Sequence, residues 1–188
     1  MNSIQIRDAA SHSRENMVSA IDGVGDIMGA AIDAASGTIV QILGDTRVSG
    51  ADLIDLGVGT ITGAVQGAVE VGVDVGAATR AIMIGVLRGT LRMGQVTIET
   101  VGVSAFALVK GAADVGESLA DAARGAVLGA IEGARDVGLS TEEAAASAAE
   151  GALRAAGSVG AVAVGQVREV VVGSIAGVKV APRTSFAR

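Results

Sequence analysis

The sequence predicts an all-α protein, with long Gly/Ala/Val-rich amphipathic helices of hendecad periodicity folded as helical hairpins or an oligomeric bundle. Three observations predict it. Charges recur every eleven residues at Arg88, Glu99, Lys110, Asp121, Glu132, Glu143 and Arg154. The column continues backwards through Gln66, Asp55, Asp33 and Asp22, failing at Ala77 and Gly44. Most other charges fall three, four or seven places later, which places them on one stripe of an α-helix. The second observation is apolar. Six places after the charges stand Met28, Ile39, Gly50, Ile61, Gly72, Met83, Gly94, Ala105, Gly116, Val127, Gly138, Ala149 and Gly160, without a charge among them. Eleven residues in three turns is about 3.67 per turn, so such a face stays aligned over many turns. The third is the four-residue spacing of glycines, the pattern through which helix backbones approach closely.

Each segment then has its own reading. Residues 1–14 form a polar N-terminal segment without the basic start and apolar run of a secretory signal. Residues 15–75 form an acidic helical half with nine acids and one base. A break is expected from Leu43 to Asp52, where Ser49 precedes Asp52 as a cap. Residues 76–180 form a near-neutral helical half. Here a second break is expected at Gly138, with Ser140 and Glu143 as a capping box. Pro182 ends the pattern, leaving a basic tail at 181–188 that contains Phe186. A rival period exists: Gly37, Gly50, Gly63, Gly76, Gly89 and Gly102 lie thirteen apart, and Glu70 to Gly76 alternates like a strand, as turns of a β-meander would. The longer charge stripe favours helix.

Composition narrows the chemistry. With no Cys, a single histidine (His12) and a net charge of −6, the chain offers no thiolate or imidazole cluster and little to attract a nucleic-acid backbone. Asp22 to Gly29 contains a GxG but not the GxGxxG spacing, and reads as a close helix contact. Glu142 and Glu143 read as first-turn partners of a helix dipole. No catalytic residue, cofactor or metal is expected. No uncharged stretch reaches the roughly 18 residues of a spanning helix.

Glycine costs about 1 kcal/mol per helix-interior position relative to alanine. The 28 glycines therefore demand packing or an apolar surface. The residues expected to carry packing and self-association are Gly59, Gly63, Gly67, Gly72, Gly76, Gly125, Gly129 and Gly133. Gly25/Gly29, Gly85/Gly89 and Gly173/Gly177 share their spacing. The residues expected on the wet face are Arg88, Glu99, Lys110, Asp121, Glu132, Glu143 and Arg154, with local pairs Lys110/Asp114, Asp121/Arg124, Glu132/Arg135 and Glu150/Arg154.

The column from Arg88 to Arg154 resembles the eleven-residue amphipathic helices of synucleins, perilipins and phasins, over roughly residues 15–175. It is a resemblance of period, since the Lys-Thr-Lys-Glu-Gly signature of synucleins is missing. The resemblance implies a protein that coats apolar surfaces. Three expectations follow. The first is a non-enzymatic, self-assembling helical scaffold with an apolar interior or seam, whose partner is a second copy of itself. The second is an amphipathic coat of a membrane, lipid or storage-granule surface. The third is a hydrophobic scaffold or membrane-stalk subunit of a large oxidoreductase complex carrying lipid or quinone. Residence is expected in the cytoplasm, peripheral to a membrane or granule under the coat reading.

Overall fold

Turns of one design recur from Gly72 to Gly138. Gly72, Gly94, Gly116 and Gly138 all lie in the left-handed region, at φ between 68° and 82°, and they follow one another at intervals of twenty-two residues. Each closes a helix. The N–H of Gly72 donates to the Val69 carbonyl at 2.9 Å and that of Val73 to the Ala68 carbonyl at 3.0 Å, the paired bonds of a Schellman stop, and the pattern repeats around Gly94 and Gly116. A cap for the next helix stands two or three residues on. Asp74, Thr97, Ser118 and Ser140 accept from the N–H groups of Ala77, Thr100, Asp121 and Glu143 at 2.9 to 3.3 Å. Such caps are worth about 1 kcal/mol each.

The computed structural model describes residues 3–21, 26–45 and 50–182. Among them are eight helices: α1 (Ser3–Ile21), α2 (Ile27–Asp45), α3 (Gly50–Glu70), α4 (Val75–Arg92), α5 (Ile98–Asp114), α6 (Leu119–Val137), α7 (Thr141–Val159) and α8 (Ala161–Val171). A two-stranded antiparallel hairpin, β1 (Gly173–Ile175) and β2 (Val178–Val180), follows. The fold is all-helical, as its periodicity predicts. The helices are shorter and more numerous than expected, because the hendecad is half of a twenty-two-residue unit of one helix and one turn. From Gly72 to Gly138 every second member of the apolar column is thus a turn glycine, while Ile61, Met83, Ala105, Val127 and Ala149, which alternate with them, are buried at mid-helix.

Other expectations change with it. The break at Gly138 and the Ser140 cap stand as read. The expected break from Leu43 to Asp52 falls partly on residues outside the described ones. Glu70 to Gly76 is not a strand: Val71 to Asp74 form the α3–α4 turn, between the end of α3 and the start of α4. Gly63, Gly76, Gly89 and Gly102 of the thirteen-residue series lie inside helices. Residues 1–14 are not a polar tail, since most of them belong to α1, with Ser13 and Met17 buried. Residues 173–180 form the hairpin instead of continuing the helical half. The two residues at its tip, Ala176 and Gly177, have φ of 49° and 80°, the signature of a two-residue hairpin turn. The tail from 183 onward lies outside the described residues.

Each helix packs most extensively on the next but one, giving an odd layer α1–α3–α5–α7 and an even layer α2–α4–α6–α8. Neighbours within a layer are parallel: Gly59, Gly63 and Gly67 of α3 meet Ile6, Ala10 and Arg14 of α1, both series ascending together. The interior is largely alanine. Ala122, Ala126, Ala130 and Ala134 of α6 and Ala145, Ala148, Ala149, Ala152 and Ala156 of α7 are fully buried. Side chains this small fill space only if the helix axes come close, which explains a core without tryptophan or tyrosine. α1, the least apolar helix, turns Asp8, Ser11, His12 and Glu15 outward. At the other end β2 packs on α7 with Val178 and Val180 buried.

Candidate functional site

The candidate site is the set of glycine seams and the charged face beside them. At one position of the unit every helix from α3 to α7 carries a triplet spaced by four: Gly59/Gly63/Gly67, Ala81/Gly85/Gly89, Val103/Ala107/Gly111, Gly125/Gly129/Gly133 and Ser147/Gly151/Ala155. Each triplet faces the preceding helix of its own layer. A methyl group at Gly63 would fall on the Ala10 carbonyl, and one at Gly125 on the Gly76 carbonyl. At Gly67 it would stand 2.6 Å from the Arg14 carbonyl oxygen, at Gly85 2.5 Å from that of Ile32, and at Gly129 2.5 Å from that of Arg80. Glycine is required because backbone lies directly opposite, an approach that also favours weak Cα–H···O contacts.

Seven of the eight glycines expected to pack therefore pack helices of one chain against each other. Gly59 meets Ile6, Gly133 meets Leu87, and a Cβ at Gly76 would stand 3.3 Å from the Asp121 carbonyl oxygen. Gly72 does not belong with them. It is a turn glycine with φ of 82° and open space where a Cβ would go. Gly173 and Gly177 belong to the hairpin, and Gly29 meets the side chain of Asp26, which accepts from its N–H at 3.0 Å. Gly25 lies outside the described residues.

The charged column keeps to the surface. Arg88, Glu99, Asp121, Glu143 and Arg154 are exposed, and Lys110 and Glu132 half-buried. Its pairs run across seams as well as along helices. Glu132 of α6 receives two hydrogen bonds from Arg80 of α4, at 2.7 and 2.9 Å, in place of the expected local pair with Arg135. Arg88 of α4 binds Asp136 of α6 at 2.6 Å, and Arg14 of α1 binds Glu70 of α3 at 2.7 Å. Arg154 of α7 lies over the Phe106 ring of α5, 5.8 Å from its centroid. Lys110 pairs with Asp114 as its spacing predicts. The ion-paired side chains are 32 to 53% exposed, so each ion pair contributes under about 1 kcal/mol.

No family model and no curated protein matches this chain. What it can do must be read from its own geometry.

At the start of α7 the backbone N–H of Glu142 and then the Thr141 hydroxyl hold the Glu142 carboxyl below the ordinary glutamate value. This is helix-terminus chemistry, at one of the two first-turn carboxylates of α7. Among the described residues, no group of three or more His, Asp or Glu side chains gathers to hold a metal. None of the described helices is long and apolar enough to cross a membrane. Sequence reasoning missed two polar joints between neighbouring helices. The Thr79 hydroxyl reaches the Ala122 carbonyl of α6 at 3.0 Å, and that of Ser147 donates to the Ile98 carbonyl of α5 at 2.8 Å. Both pairs are more than forty positions apart, beyond the reach of any local pattern.

Proposed function

We propose that this protein is a structural, non-catalytic helical-repeat scaffold whose apolar seams are internal to each chain. One observation carries the reading: the glycine triplets that would otherwise seek a partner or a lipid surface are used in packing the chain's own layers. Repeats stacked in this way form a stiff body in which each unit leans on its neighbours, and such arrays serve as platforms for other molecules. The accessible surface, 8599 Å², supports this. A self-contained monomer of 18.3 kDa is expected to expose about 8,100 Å². Copies that assemble do so through faces other than these glycines, such as the elbow between α7 and α8, where Val159 and Val162 are exposed.

The test is circular dichroism and light scattering after gel filtration, without lipid or detergent. The scaffold reading expects a strongly helical chain that melts cooperatively and has a discrete mass. A chain that is unfolded in buffer and becomes helical only with vesicles would overturn it in favour of a surface coat.

A further inference from the structure

Along the column of triplets, α5 departs from its neighbours. It begins Val103, Ala107, where α6 has Gly125, Gly129, and only its third member, Gly111, is a glycine. A Cβ at Gly111 would stand 3.2 Å from the Thr62 Cα of α3, a looser fit than the carbonyl collisions along the other seams. α5 packs less extensively on α3 than α6 does on α4 or α7 on α5, and a cleft of about 230 Å³ lies beside Val103. Its walls come from both layers: Ile39 of α2, Ile61 of α3, Val86 of α4 and Val103 itself, with Gln95 and Glu99 at the rim. Of the four hydroxyls that line it, those of Thr90 and Ser104 donate to carbonyls of their own helices at 2.9 and 2.7 Å, and those of Thr97 and Thr100 share a 3.0 Å hydrogen bond. The interior thus asks for apolar atoms, and the rim offers a carboxylate.

We propose that this cleft binds a small apolar molecule ending in a cationic hydrogen-bond donor, of the class of a medium-chain alkylammonium. At about 30 Å³ per water-sized group the space holds roughly seven or eight heavy atoms. Its chain lies against Ile39, Ile61, Val86 and Val103, and its head meets Glu99. The same carboxylate repels a fatty acid of equal length. Arg154 of α7 borders the far side of Glu99, where both line a shallow depression between α5 and α7. Its guanidinium lies over Phe106.

The full chain is titrated with n-heptylammonium, heptanol and heptanoate, following amide chemical shifts. Saturable binding of the ammonium is expected, with shifts confined to the cleft. Affinity should rise about fourfold per methylene from butyl to heptyl, and heptanoate should bind at least tenfold more weakly than the ammonium. Glu99→Gln is expected to weaken ammonium binding about threefold to fivefold and leave heptanol unchanged. Val103→Phe fills the space and should reduce binding of ammonium and alcohol tenfold or more. Val103→Leu, a smaller filling, should reduce both in part, and circular dichroism checks that each variant keeps its helices. Absence of saturable binding, heptanoate binding as tightly as the ammonium, or undiminished binding in folded Val103 variants would each overturn the proposal.

Discussion

The hydroxyl of Ser147 on α7 donates a 2.8 Å hydrogen bond to the backbone carbonyl of Ile98 on α5. It stands where α6 carries Gly125, whose missing side chain makes room for the Gly76 carbonyl. One place in the repeat is thus filled in two ways, by empty space for a carbonyl or by a donor that binds one. Ser147→Ala should lose about 1 kcal/mol of stability. Ser147→Val, which sets a branched apolar group against the carbonyl, should lose about 1–3 kcal/mol. Urea unfolding of the two variants measures both.

Two glycine-to-alanine changes should have opposite signs. Gly63→Ala drives a methyl group onto the Ala10 carbonyl, so overpacking outweighs the propensity gain and about 2 kcal/mol is lost. Gly37→Ala, on a helix face with nothing within 4 Å, should gain about 0.5–1 kcal/mol. A loss at both sites would mean the seams do not lie where these triplets place them. Gly129→Leu, beside the Arg80 carbonyl, should unfold the chain rather than merely separate copies of it.

The Arg80–Glu132 pair joins α4 to α6 from a half-exposed position. A double-mutant cycle with Arg80→Gln and Glu132→Gln should give a coupling of about 0.5–1 kcal/mol, shrinking as salt is added. Glu132 with Arg135 should couple more weakly.

Because the Glu142 carboxyl is held below its ordinary value by the Glu142 N–H and the Thr141 hydroxyl, its folded-state pKa is lower than its unfolded one. It therefore stabilises the first turn of α7 above the unfolded pKa, and that contribution is lost as pH falls through the folded pKa. Amide exchange at the start of α7 should speed up on acidification relative to mid-helix. In Glu142→Gln this pH dependence should be weaker.

How much could be read in advance depended on period. The charges from Arg88 to Arg154 disclosed the helices because both halves of each unit turn the same face to water. Gly138 and Ser140 disclosed one turn because a left-handed stop and a cap stand together there. The turns at Gly72, Gly94 and Gly116 escaped notice because they hold no proline, and in elevens their glycines share a column with buried Met83, Ala105 and Val127. Glycine spacing disclosed close packing but not its partner. Whether Gly63 meets Ala10 of its own chain or a neighbouring molecule is decided by turns that fold every second helix into one layer. The cleft beside Val103 depends on four helices converging, and no local stretch of sequence carries it.

The alternation of layers also governs how the chain can change length. Removing a single unit, one helix and one turn, would transfer every later helix to the opposite layer and reverse its direction. Where the lost unit is α5, Gly125 would no longer meet α4 and its Gly76 carbonyl. Removing two consecutive units restores both parity and direction, so that α3 could be followed in its layer by α7. Insertions and deletions in such a protein should come in steps of forty-four residues, and a variant shortened by forty-four should fold where one shortened by twenty-two does not.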